Sequence, residues 1–296
     1  MPSRSSSVQA LQNEPGGLNR GGVRADAATA RLEASERRRT VRDLRRAAAE
    51  GGFALSLTPC HCLHRQAVGE GVRGAEASLR WPRRLGMASA GGLLPLIASS
   101  GLTAEVGGWL IQAACEAAMG WSDGNASQTV VALDVPADCL ADASLLAQVS
   151  DALDATGLAP ERLEIEIGEQ ALADGGSEVV LALAALCDLG VGIALDHFGS
   201  ASACLMTLRN LPLTTVKLDR SLIRDLPRDR VSQALVAAII DCAHALEAKI
   251  VAIGVETERQ RDLLAGLGCD YAQGALYGAP LSAEGFAAAL AGEVET

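Results

Sequence analysis

The chain has 296 residues, 49% of them hydrophobic, and a formal net charge of −11. That is enough for one large barrel or two ordinary domains around a sizeable core. The charge is uneven: residues 1–50 hold 10 Lys and Arg against 6 Asp and Glu, and the remainder holds 15 against 30. The acidic body argues against DNA as a partner and suits a site where carboxylates collect divalent cations.

Taken in chain order, residues 1–33 are polar, rich in Gly, Ser and Arg, and aperiodic, which predicts a disordered tail. They lack the apolar segment of a secretory signal. The eight cysteines are scattered, at 60, 62, 115, 139, 187, 204, 242 and 269, without the spacing of a disulfide-stapled domain. The expected compartment is the reducing cytoplasm. Residues 34–52 predict a lead-in helix with a basic face and a Gly–Gly stop. Residues 53–296 form the predicted main domain.

In that domain strand-like runs alternate with helix-like ones. The strands are FALSLTP (from 53), AEASLRW (75), TVVALDVP (129), LEIEIG (163), GIALDHFG (192), TTVKLD (214), KIVAIGV (249) and YAQGAL (271). The clearest helices fall at 105–120, 143–155, 176–188, 230–246, 257–267 and 282–291. The longest uncharged run, 86–104, holds four glycines, a proline and four Ser or Thr, so it reads as loop plus buried helix, not as a membrane span. Eight strands alternating with helices predict an α/β fold of the (β/α)8 TIM type. The competing open sheet lacks a Gly-rich phosphate turn after its first strand.

In such a barrel the chemistry sits where strands end. Those ends offer Glu76 and Arg80, Asp134, Glu166, Asp196 with His197, Lys217 with Asp219, Glu256 and Gln273. Burying so many charges unpaired is costly, so they are expected to face one another or an ion. Lys217 is one of two lysines beside 23 arginines, which suits a need for a compact point charge. Glu164 shares a strand face with Glu166 and calls for a basic partner. Cys60, His61, Cys62 and His64 match no common structural zinc spacing. His244 sits three residues after Asp241 on a helix, where a local pair is expected. Trp81, Trp109 and Trp121 read as packing residues.

These residues, in this order, resemble the EAL domain family of bacterial cyclic-di-GMP phosphodiesterases. The likeness runs from about 37 to 291 and includes LRWP, LPLIASSGL, TVKLDRSLI and VAIGVETERQRDLLAGLGCDYAQGALYGAP. It implies a modified barrel with one strand antiparallel to the rest. The signature Glu-Ala-Leu reads Glu76-Ala77-Ser78. The family's strand-three Asn is Asp134; its strand-four Glu is Glu166, followed by Gly168 for a Thr and by a matching Glu169. Its Asp-Asp pair is Asp196-His197, and the loop behind it is altered to GSASAC. Lys217, Asp219, Glu256 and Gln273 match, and the first Glu of the strand-seven motif has become Ile253. Thr58 replaces the early Gln.

The resemblance implies metal ligands at Glu76, Asp134, Glu166, Asp196, His197 and Asp219, ligand contacts at Arg80 and Gln273, and supporting roles for Glu169 and Glu256. Lys217 remains of the catalytic set, but the proton-accepting position is lost at Ile253, which can neither bind metal nor take a proton. Mg or Mn is expected at one site only, because an imidazole at 197 suits softer metals. His197 also reads as an idle replacement hydrogen-bonded to a neighbouring carboxylate. The expectation is a degenerate, inactive regulatory module that binds a protein partner, cyclic-di-GMP or both, with a homodimer as a further option and no membrane contact. The alternative is a weak metal-dependent phosphodiesterase with a remodelled site.

Overall fold

The computed structural model describes residues 35, 38–64, 71–82, 90–121, 129–140, 142, 144–200, 208, 209 and 211–292. The chain divides into two compact units, residues 1–44 and 45–296. Residues 38–50 are helical, within the segment predicted as a lead-in helix. The expected disordered tail lies outside the described residues.

The second unit is a closed eight-stranded barrel in sequential order. Its strands are β1 (Ala54–Cys62), β2 (Val72–Arg80), β3 (Val130–Asp134), β4 (Leu163–Gly168), β5 (Gly192–Phe198), β6 (Thr215–Leu218), β7 (Lys249–Ile253) and β8 (Tyr271–Gln273). β1 runs antiparallel to both its neighbours, and every other pair is parallel. This is the predicted barrel with its one reversed strand. Helices at Ala90–Ser100, Thr103–Met119, Ser144–Thr156, Glu169–Asp188, Arg230–Ala245, Glu258–Gly266 and Ala283–Leu290 follow the strands.

Alternation explains the layers. On β2 through β6 one set of side chains, among them Ala77, Leu133, Ile165, Leu195 and Val216, is buried in the core shared with the helices. The other set, two residues apart, points into the barrel. That inner set carries Glu164 and Glu166 on β4, Asp196 on β5, and Thr215 and Lys217 on β6. Trp81 and Trp121 are buried as packing residues, with Trp109 packed against the core.

Three expectations need correction. The helix predicted at 176–188 begins at Glu169, with Gly176 breaking its regular geometry at φ 56°. The run predicted as an eighth strand through Leu276 pairs only over Tyr271–Gln273 and then turns into a short 3-10 segment, Ala275–Tyr277. Asp219 lies just past β6, not on it. It caps the next short helix, its carboxylate accepting from the Ser221 N–H at 2.8 Å. Among the described residues no helix is long and apolar enough to cross a membrane.

Candidate functional site

The barrel interior holds two tiers of charge. The lower tier begins with an irregularity. Cys60 pairs with Gly74 but His61 pairs with Val72, so Arg73 is an extra residue in β2, a β-bulge. The bulge turns Arg73 out of alternation and into the barrel. Beside it a Cβ at Gly74 would collide with the Val130 carbonyl, so only glycine lets β2 approach β3 there. The Arg73 guanidinium grips Glu164 with both nitrogens, at 3.0 and 2.6 Å. Thr215 Oγ1 donates to the same carboxylate at 2.6 Å, and Thr214 Oγ1 at 3.2 Å. Tyr271 lies 5.1 Å under the guanidinium. Burial opposes both charges, but each partner outweighs it: Arg73 is held above its usual pKa and Glu164 below. This is the basic partner that Glu164 required.

The upper tier is built differently. The Lys217 ammonium, 2% exposed, meets Glu76 Oε2 at 2.7 Å, Glu166 Oε2 at 2.6 Å and Asp196 Oδ1 at 3.7 Å. Burial disfavours its charge, but Glu166, Glu76 and Asp196 together hold its pKa well above normal. Glu76 is lowered, chiefly by Lys217. Glu166 moves the other way: full burial, with Glu76 and Asp196 nearby, outweighs Lys217 and raises it. Asp134 ends β3 beside this group. Lost hydration, then the charges of Asp196 and Glu76, push it up to about 6. One ammonium therefore serves three carboxylates, with a fourth crowding the edge.

That excess tests the fit of a cation. The donors are all hard oxygens, which suit Mg or Mn. Asp196 Oδ1 is buried and makes no hydrogen bond among the described residues, so it has capacity to spare. Yet Lys217 occupies one oxygen each of Glu76 and Glu166. As they stand, no three His, Cys, Asp or Glu side chains among the described residues form a ready metal cage. The composition of the cluster fits one cation, which would have to share it with Lys217.

The remaining site expectations distribute as follows. His197 adopts a left-handed backbone, φ 54°, unusual for a residue with a side chain. Its Nδ1 lies 2.8 Å from Asp219 Oδ2, and its Nε2 3.4 Å from Asp196 Oδ2. The imidazole thus contacts two of the expected metal ligands itself. Gln273 donates to the Thr58 carbonyl at 3.3 Å and reaches Glu76. Glu169 opens the helix after β4, with Oε2 buried and unpartnered among the described residues. Arg80 ends β2, exposed. Glu256 is also exposed, joined through its backbone N–H to Gln260 at 2.9 Å. Of the altered loop GSASAC only Gly199 and Ser200 fall among the described residues.

Ile253 ends β7, partly exposed and paired with Gln273. Val251, two residues before, lines the barrel interior beside Lys217, so Ile253 takes the same inward face at the rim. The carboxylates around Lys217 come from β2, β4 and β5, and β7 supplies none.

Elsewhere, His244 bonds Asp270 at 2.7 Å and not the helical neighbour Asp241. Asp270 also accepts from the Ile250 N–H at 2.9 Å, which fixes it closer to the imidazole than helix spacing alone would bring Asp241. His61 stacks on Tyr277, with ring centroids 4.5 Å apart, and burial pushes the Cys60 thiol up to about 12. Sequence reasoning missed Arg73. Its only signal was the adjacent glycine inside a strand, a known marker of bulges.

Residues 41–280 match the family described as EAL domain. A bifunctional diguanylate cyclase/cyclic di-GMP phosphodiesterase, MucR of Pseudomonas aeruginosa, is 38% identical over 220 residues, 74% of this chain and 32% of MucR. NbdA of the same organism, a cyclic di-GMP phosphodiesterase, is 32% identical over 251 residues, 84% of this chain and 32% of NbdA. The chain thus spans about a third of the length of these curated relatives. A solved MucR phosphodiesterase, in complex with c-di-GMP, superposes with TM-score 0.73 at 34% identity, over 82% of this chain and 97% of that one. The FimX EAL domain of Xanthomonas citri shares the fold, with TM-score 0.76 at 22% identity, over 85% of this chain and 97% of that one.

Proposed function

The chain belongs to the EAL domain family, and from that premise we propose that it binds cyclic-di-GMP as a regulatory module in which hydrolysis has been lost. One observation carries the proposal: the β7 rim position, two residues past the Val251 that pairs with Lys217, is the hydrocarbon Ile253. A phosphodiesterase must generate its attacking oxygen, and general-base groups supply about 10²–10⁴-fold of that rate. Neither a proton acceptor nor a metal ligand stands there. The Asp219 and Asp196 carboxylates, which would serve a second cation, are engaged by His197.

Binding needs less. Glu76, Asp134, Glu166 and Asp196 would hold one divalent cation in this proposal, sharing the carboxylates with Lys217. A bound cation would supply an electrophile for a phosphate oxygen. The chain's own groups would do the rest: Arg80 at the open end of β2 meets the second phosphate, and Gln273 orients Glu76. Whatever follows from occupancy passes to a protein partner.

Titration calorimetry with cyclic-di-GMP, with and without Mn²⁺, tests this reading. Saturable binding without conversion to the linear dinucleotide is the expected result. Turnover that vanishes in Glu76→Ala would establish the second reading, a weak phosphodiesterase with a remodelled site. That reading draws on the survival of all four acids. Ile253→Glu is expected to raise turnover above the wild-type background.

A further inference from the structure

A sizeable cavity lies outside the acidic cluster. It measures about 320 Å³ and sits between the barrel wall at the ends of β2 and β3 and the helices Thr103–Met119 and Ser144–Thr156. The space inside the barrel beneath Lys217 measures about 10 Å³, no more than one water requires. Close-packed interiors carry few voids beyond the size of a water, and about 300–1,000 Å³ is the range of small-molecule sites.

The walls are apolar: Leu79 and Leu133 from the strands, Val135 just past β3, and Val106, Leu110 and Leu145 from the helices. Gly107 faces the space, and a Cβ built there would meet no atom within 4 Å. The gap is therefore not the by-product of a backbone pressed against its neighbour. Gln148 donates to the Ala104 carbonyl at 3.1 Å and ties the two helices together beside the opening. Charge enters with one sign only. Asp134 and Asp142 line the cavity, and no Lys, Arg or His does among the described residues. Asp142 spends one oxygen on the Ser144 N–H at 2.9 Å.

We propose that this cavity is a second ligand site, for a compact aromatic molecule carrying a positively charged amino group. The ring would occupy the space beside Gly107, and the amine would meet the carboxylates of Asp134 and Asp142. Among the described residues an anionic nucleotide meets no cation there, so the proposed site is separate from that of the dinucleotide. Asp134 belongs to both the cavity and the acidic rim. A bound amine therefore competes with a cation at the rim, and linkage makes the effect mutual.

Tryptamine is the probe, and indole-3-propionate, the same ring with an anionic tail, is its control. Calorimetry on the full chain is expected to show saturable one-to-one binding of tryptamine, with the control weaker by about tenfold or more. Gly107→Leu fills the space on an ordinary helical backbone and is expected to abolish tryptamine binding while leaving the cyclic-di-GMP titration unchanged. Should that variant fold poorly, methyl NMR of the wild-type chain decides, with perturbations expected at Leu133, Val135 and Leu145. Equal affinity for the two probes, tryptamine binding that survives Gly107→Leu, or methyl shifts confined to other regions would each overturn the proposal. Loss of dinucleotide binding by the wild-type chain, with tryptamine binding intact, would instead count only against the proposed function.

Discussion

The two tiers inside the barrel use the same residue types to opposite ends. Below, one guanidinium meets one carboxylate with both nitrogens, and two threonine hydroxyls share the remaining lone pairs. Charge balances and each group has a partner. Above, one ammonium is shared among Glu76, Glu166 and Asp196, with Asp134 at the edge. The lower tier is closed chemistry that holds strands in place. The upper tier is open chemistry, stable enough to fold yet short of positive charge. An excess of buried acid marks where a cation belongs better than the mere presence of acids does, because a balanced pair such as Arg73–Glu164 is equally buried and asks for nothing.

The largest expected effect breaks each tier in turn. Arg73→Met strands Glu164 as a buried, unpaired charge and should lower stability by about 3–5 kcal/mol. Lys217→Met should lower it on the same order in metal-free buffer, since several acids lose their one counter-charge. The distinction lies in rescue. Mn²⁺ is expected to restore much of the Lys217→Met loss and none of the Arg73→Met loss, as read by urea denaturation. Equal rescue of both, or of neither, would erase the contrast between the tiers.

A smaller effect sharpens the upper tier alone. A cation that binds only the folded chain should stabilise it by about 2.7 kcal/mol at a hundredfold excess over its dissociation constant. Asp196→Asn should reduce that gain, and Glu164→Gln, in the lower tier, should leave the cation response in place. Thermal unfolding against Mn²⁺ concentration checks both.

The smallest concerns pH. Burial and the neighbouring acids push the Asp134 carboxyl up to about 6 in the folded chain, from an ordinary 3.8. The folded state thus holds its proton more tightly than the unfolded one. Stability from this group is complete below pH 3.8 and declines as pH rises through about 6. Asp134 is exposed enough at the rim for solvent to screen much of the effect, leaving about 1 kcal/mol or less. Asp134→Asn should flatten that slope in metal-free denaturation curves between pH 4 and 7. A slope that persists unchanged assigns the proton to another member of the cluster.

Much of this was legible beforehand, for a physical reason. Strand alternation has a period of two, so Glu164, Glu166, Thr215 and Lys217 could be placed on one inner face by counting. The open acidic rim followed from where the strands end. That one strand runs reversed came only with the family resemblance, because alternation has no arrow, and that it is β1 came only with the structure. Arg73 stayed hidden because a bulge breaks the counting rule itself. The partner of His244 was misplaced for a related reason: helix spacing pointed to Asp241, and the chosen acid, Asp270, arrives from a distant segment that local periodicity cannot see. Asp219 was put on a strand face, whereas its short side chain serves as a helix cap and a hydrogen-bond acceptor for His197.

The bulge at Arg73 also carries a constraint on how this chain can change. It adds a single residue to one side of the β1–β2 hairpin, so it shifts the phase of everything before it against everything after. Excising Arg73 would restore simple pairing with Val72 still opposite His61, and would leave Glu164 bare, all from the loss of one codon. Side-chain replacements elsewhere in the hairpin can be absorbed locally, but a one-residue deletion on either strand cannot.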